Sequence, residues 1–193
     1  MLVIGDVHGK VNQYYKLINK HKPNESIQLG DFGFKKKHDW FLKEMDITKH
    51  KIMFGNHDYY PYLDKEHSLK DFSFNPQYNL MTIRGAFSVD RVSRTEGLDW
   101  FANEEISYGD WYPIMDEYEL RKPEIVISHD CPQYMRHLLF GIDQKSITTS
   151  GLQSLFELHQ PKLWIFGHHH THIDEVYNGT RFICLKELGI FNI

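Results

Sequence analysis

Cysteine is scarce in this chain. Cys131 and Cys184 are the only two and sit in unrelated contexts, so no disulfide framework is expected and a reducing, cytoplasmic setting fits best. No stretch approaches the roughly 20 apolar residues of a membrane span. Met1-Leu2-Val3-Ile4 runs directly into a turn rich in polar side chains, leaving no room for the basic, apolar and cleavage segments of a secretion signal. Positive charge is also short: 22 Lys and Arg face 26 Asp and Glu, a net charge of -4, which argues against gripping nucleic acid by general attraction. The basic groups that do occur, Lys35-Lys36-Lys37 and the looser Arg84, Arg91 and Arg94, read first as solvated surface and second as phosphate contacts. Repeats, low-complexity tracts and linkers are missing too. With 41% hydrophobic and 25% charged residues over 193 positions, the expectation is one globular domain spanning 1–193.

Short apolar runs alternate with helical spacing. Leu2 to Ile4 reads as a buried strand, and Val11, Tyr14, Tyr15, Leu17 and Ile18 recur at helical intervals before Pro23. Strands are expected at Ile27 to Leu29, Ile52 to Phe54, Met81 to Ile83, Ile125 to Ile127 and Leu163 to Phe166, with a helix around Trp40, Phe41 and Met45. Further helices are expected from near Pro113, and from about Gly151 to His159 with Thr149 or Ser150 as cap. Asn178-Gly179 between Asp174-Glu175-Val176-Tyr177 and Arg181-Phe182-Ile183-Cys184-Leu185 is a hairpin signal. The strand-helix rhythm implies parallel strands. The stretch from Tyr59 to Lys122 is aromatic, partly acidic and weakly patterned.

Five of these runs end in residues that bind metals: Gly5-Asp6-Val7-His8-Gly9, Gly30-Asp31, Gly55-Asn56-His57-Asp58, Ser128-His129-Asp130 and Gly167-His168-His169-His170. Each run is common alone, since Gly-Asp and Gly-Asn are ordinary turn dipeptides; the ordered series is not. Their place after strands puts the candidates at the carboxyl ends of a sheet, where open α/β folds bind ligands. If these segments are extended, Asp6 and His8 face one cavity, as do His168 and His170, and His169 points away. Carboxylate, imidazole and amide without thiolate favour manganese, iron or zinc over a cysteine-held structural zinc. Phosphate esters hydrolyse very slowly unaided, and two ions about 3.5–4 Å apart generate hydroxide and neutralise phosphoryl charge. Such a pair needs a bridging carboxylate, for which Asp31 is the natural candidate.

With those motifs in order over residues 6–170, the chain resembles the calcineurin-like metallophosphoesterases, whose pattern is Asp-x-His, Gly-Asp, Gly-Asn-His-Asp/Glu, His and Gly-His-x-His. The resemblance implies an α/β fold, a four-layer αββα sandwich of two mixed sheets flanked by helices. It implies one divalent ion on Asp6, His8, Asp31 and His170, another on Asp31, Asn56, His129 and His168, and His57 as general acid. Asp58 is then a candidate for positioning His57. Protein phosphatases of this family carry Gly-Asp-x-Val-Asp-Arg-Gly at the second motif; here the stretch is Gly30-Asp31-Phe32-Gly33-Phe34-Lys35. A lysine point charge is a poor substitute for a bidentate arginine, so a phosphoprotein substrate is disfavoured and Arg84 becomes the candidate phosphate grip. His169 and His172 fall outside the pattern and are expected in supporting or surface positions; Cys131 is expected to be a small buried residue.

The expected activity is hydrolysis of a phosphomonoester or small phosphodiester, including nucleotides, by in-line attack of metal-bound hydroxide, with manganese the first choice of ion and iron or zinc the others. No membrane partner and no extended nucleic-acid contact are expected. The competing reading is a non-catalytic binding module on the same fold, against which the intact ligand set counts.

Overall fold

The structure, a computed structural model, describes residues 1–33, 46 and 48–193. Two mixed sheets stack face to face. The smaller contains β1 (Leu2–Ile4), β2 (Ser26–Gln28), β3 (His50–Ile52) and β10 (Ile190–Asn192) in the order β10-β1-β2-β3. The larger contains β4 (Phe72–Asn75), β5 (Leu80–Ile83), β6 (Ile125–Ser128), β7 (Leu163–Phe166), β8 (Ile173–Tyr177) and β9 (Thr180–Cys184) in the order β4-β5-β6-β7-β9-β8. Neighbours are parallel except at β1/β10, β4/β5 and β8/β9.

Strand alternation divides the apolar residues into three layers. Val3, Ile27, Leu29, Ile127, Ile165 and Ile183 fill the space between the sheets. Their neighbours Leu2, Ile4 and Ile52 face outward onto α1 (Val11–His21), which inserts Val11, Tyr14 and Ile18. On the opposite side Met81, Val126, Trp164, Phe166 and Phe182 lie under α2 (Trp111–Arg121), α3 (Gln133–Phe140) and α4 (Ile147–Leu158), which contribute Ile114, Tyr118, Met135, Leu152 and Leu155. Buried on both faces, the parallel strands read as continuous apolar runs.

Several boundaries differ from those expected. β2 and β3 end one and two residues early, because Leu29 and Met53 keep single ladder bonds to Ile4 and Gln28 as the chain turns away. Helix α4 begins at Ile147 under Ser146, not near Gly151: Ser146 Oγ accepts the Thr149 N–H, and Thr149 Oγ1 accepts the Ser146 N–H in return. Thr149 is thus the partner in the capping box rather than the cap. β4, β10 and α3 were not anticipated. Asn178 (φ 46°) and Gly179 (φ 80°) form the expected hairpin turn. The helix expected around Trp40, Phe41 and Met45 lies outside the described residues. Among the described residues no helix is long and apolar enough to cross a membrane.

Candidate metal centre

β1, β2, β3, β6 and β7 are each followed at their carboxyl ends by one of the candidate runs, carrying Asp6, Asp31, Asn56, His129 and His168. The residues converge by a route other than extended alternation. His8 (φ 47°), Asp31 (φ 54°), His168 (φ 64°) and His170 (φ 52°) are left-handed, a conformation rarely adopted by side-chain-bearing residues and found at functional turns. His168 and His170 consequently serve different groups of donors. Glycine makes the close approach possible: Gly30 has φ 110°, and a Cβ on Gly55 would overlap the Asp31 carboxylate and the His129 ring.

One group is Asp6, His8, Asp31 and His170; the other is Asp31, His129 and His168; within each, the donor atoms lie within 4.8 Å of one another. In the first, His170 Nε2 is 3.2 Å from Asp6 Oδ2 and 2.8 Å from His8 Nε2. In the second, His129 Nε2 lies 3.3 Å from Asp31 Oδ1 and 3.3 Å from Asn56 Oδ1. Asp31 is common to both groups. Its Oδ1 accepts the His57 backbone N–H at 2.8 Å, whereas its Oδ2 is buried without a hydrogen-bond partner among the described residues. A buried, unpartnered carboxylate oxygen costs free energy unless something cationic meets it, and His8 and His170 bring their Nε2 atoms within 2.8 Å of each other beside the buried Asp6 carboxylate. The donor set therefore fits divalent cations.

Surrounding groups fix these donors. His129 Nδ1 meets the Leu29 carbonyl at 2.9 Å; a carbonyl can only accept, so Nδ1 carries a proton and Nε2 faces the site. Asn56 Nδ2 donates to Ser88 Oγ at 3.1 Å, and Ser88 donates from both its Oγ and its N–H to the buried Glu104 carboxylate, each at 2.7 Å. That chain turns the Asn56 carbonyl oxygen toward His129. Electrostatically the centre is a set of opposed buried charges. Burial would raise the Asp6 carboxyl, but His170 and His8 hold it down to about 2. Burial would lower His129, but the Asp31 carboxylate raises it to about 10, and Asp31 itself is held well below the usual carboxylate range. His168, lowered by burial to about 4, is neutral at pH 7.

The structure relocates two expected residues. Arg84 does not reach the centre: it is 4% exposed and engages Asp71, the Asn103 carbonyl and the Tyr60 hydroxyl. The guanidinium that does reach it is Arg94, whose Nη2 is 2.9 Å from His57 Nδ1 and 2.7 Å from Asp90 Oδ2. Asp58 does not contact the His57 ring through its carboxylate either. Its oxygens accept the Gly33 and Gly55 N–H groups at 2.8 and 2.9 Å, tying two ligand-bearing loops together, and burial pushes its carboxyl up to about 7. His169 stacks on Phe140 with centroids 3.8 Å apart and lies 3.1 Å from Asp130 Oδ1, a supporting position. Asp130, Cys131 and His169 form a further donor group, but burial and the neighbouring Asp130 push the Cys131 thiol well up, so it is a poor ligand. Phe34 and Lys35 lie outside the described residues.

Sequence reasoning missed Glu104 and Ser88 and left Arg94 among surface charges. Only the return of residues 86–105 to the edge of the site brings them in, and no local pattern marks that path.

Known proteins share this fold. A candidate 5′-nucleotidase from Staphylococcus aureus, solved with α-ketoglutarate, superposes over 98% of this chain and 49% of its own, with TM-score 0.55 and 15% identity. This chain spans about half of that protein. Phosphopantetheinyl hydrolase from Mycobacterium tuberculosis superposes with TM-score 0.55 and 10% identity over 96% of this chain and 89% of its own. The anchor protein GAP50 of the Plasmodium inner membrane complex does so with TM-score 0.55 and 14% identity over 95% and 70%. No curated protein sequence matches significantly. The family profile described as calcineurin-like phosphoesterase matches residues 1–172, and on that match the chain belongs to the calcineurin-like phosphoesterases, a family of metal-dependent phosphoesterases.

Proposed function

We propose that this protein hydrolyses a phosphomonoester or small phosphodiester at a pair of divalent cations, one held by Asp6, His8, Asp31 and His170 and the other by Asp31, Asn56, His129 and His168. The observation that carries the reading is Asp31: it belongs to both donor groups, and its Oδ2 is buried without a hydrogen-bond donor among the described residues. When bound, such ions supply an acidified water and offset phosphoryl charge. The nitrogen and oxygen donor set suits manganese, with iron or zinc as alternatives.

The chain's own groups account for binding and proton handling. Burial lowers His57, and the Arg94 charge lowers it further against the pull of Asp31. A guanidinium only donates, and Arg94 Nη2 lies 2.9 Å from Nδ1 and 3.1 Å from Nε2, a placement that favours the neutral ring. A substrate phosphoryl group competing for Arg94 therefore frees the ring to take a proton, preparing His57 to protonate the leaving oxygen. Arg94 would hold the anion and His57 would serve as acid, while Asp58 keeps the Gly33 and Gly55 loops in register.

The same architecture occurs in an anchor protein, so the fold does not by itself argue for catalysis; the donor geometry and His57 do. The test is hydrolysis of p-nitrophenyl phosphate and its bis ester by purified protein with Mn²⁺. Turnover of either supports the reading, their ratio gives the ester class, and failure on both moves the assignment to a non-catalytic module.

A further inference from the structure

A cleft of about 670 Å³ opens beside the centre, between α2 and the first turns of α4. Its wall is aromatic: Phe87, Tyr108, Trp111 and Tyr112 line it together with Arg91 and Lys145. The Arg91 guanidinium lies over the Phe87 ring, 4.5 Å from its centroid. Tyr108 and Tyr112 are 74% and 63% exposed. Such a concentration of large rings at the mouth of a concavity marks a ligand site more than a folding requirement. The lining carboxylate, Glu105, is already engaged, accepting the Thr148 N–H at the start of α4 at 2.9 Å. The lining thus sets two cations against one carboxylate that is already in use.

The cleft and the centre share a wall one backbone thick. Phe87 lines the cleft, while Ser88 holds Asn56. Glu105 lines the cleft, while Glu104 holds Ser88. Arg91 lines the cleft, while Arg94, at the end of the same turn, meets His57. A ligand bent over the exposed Arg91–Ser93 turn would have its anion at Arg94 and its remainder against the rings. From this geometry we propose, resting on the phosphoesterase reading above, that the cleft receives the nucleoside of a nucleotide substrate. A planar base stacks on aromatic and guanidinium faces without requiring a particular edge pattern. Ser150, also in the lining, offers a hydroxyl to a sugar.

The test has two arms on the full-length chain. In the first, binding of adenosine and uridine, which carry no phosphate, is measured by calorimetry with EDTA present. Binding is expected to weaken about tenfold in Arg91→Ala and in Tyr108→Ala, the loss of one stacking face. In the second, with Mn²⁺, the preference in kcat/KM for AMP or UMP over ribose 5-phosphate is expected to fall by a similar factor. If neither nucleoside binds, or both variants bind like the parent, the cleft is not a nucleoside site, whatever the esterase assays show. Nucleoside binding with no preference for nucleotides over ribose 5-phosphate overturns its role in substrate choice. Failure of p-nitrophenyl phosphate and its bis ester strikes the phosphoesterase reading alone, since the first arm needs no turnover.

Discussion

Asp31 and Arg94 sit a short distance apart and test different claims. Asp31→Asn keeps the shape of a side chain shared by two donor groups but removes its charge. Turnover is expected to be nearly abolished and metal content to fall at both positions; two ions per chain with parental activity would refute the bridging role. His57→Ala is expected to retain metal and lose 10²–10⁴-fold in kcat, the range of a general acid. The two arginines separate binding from stability. Arg94→Ala should lower kcat/KM roughly a hundredfold, the scale of one donor to a developing anion, with little change in Tm. Arg84→Ala should act oppositely: it removes a buried guanidinium that joins Asp71, the Asn103 carbonyl and the Tyr60 hydroxyl, costing about 1–3 kcal/mol, and leaves kcat near parental. The reverse pattern would restore Arg84 as the phosphate ligand. The acidic and imidazole donors were legible because each follows a strand within one to four residues. Arg94 was not, since its partner His57 is 37 residues away.

At the scale of elements, legibility followed burial. β6 and β7 lie inside the larger sheet and announce themselves as apolar runs, whereas β4 occupies its edge with half-buried residues. β10 lies at the edge of the smaller sheet with its residues half-buried or exposed, so it carries no buried apolar run. Helix α4 was legible as a helix but not in its start. Thr148, Thr149 and Gly151 are all buried in its first turns, residue types with weak helix preference that packing retains: a Cβ on Gly151 would strike the Trp111 ring. The capping box should therefore matter. Ser146→Ala is expected to reduce stability by about 1 kcal/mol, a fall in Tm of roughly 2–4 °C for a domain of this size. Substitution without any change in Tm would mean that the α2–α4 contact alone holds this end.

For the molecule as a whole, the sandwich brings two sheets' carboxyl ends together and so concentrates opposed charge in its interior. Without a cation, His129 answers Asp31 by holding a proton, with its pKa raised to about 10. Because that value exceeds the unfolded reference of about 6.5, the stability His129 contributes is complete below pH 6.5 and is lost as pH rises toward 10. A cation on Asp31 must displace that proton, so metal affinity should rise by up to about tenfold per pH unit over this window. Metal at a hundredfold over its dissociation constant adds about 2.7 kcal/mol, a gain in Tm of roughly 5–10 °C. At one fixed metal concentration, the difference in Tm between loaded and EDTA-treated protein should therefore widen from pH 6.5 to pH 8.5. Calorimetry at pH 7 in two buffers of different ionisation enthalpy should report proton release on metal uptake. An equal gain in Tm at both pH values, with no proton released, would mean that cations bind away from Asp31 and His129.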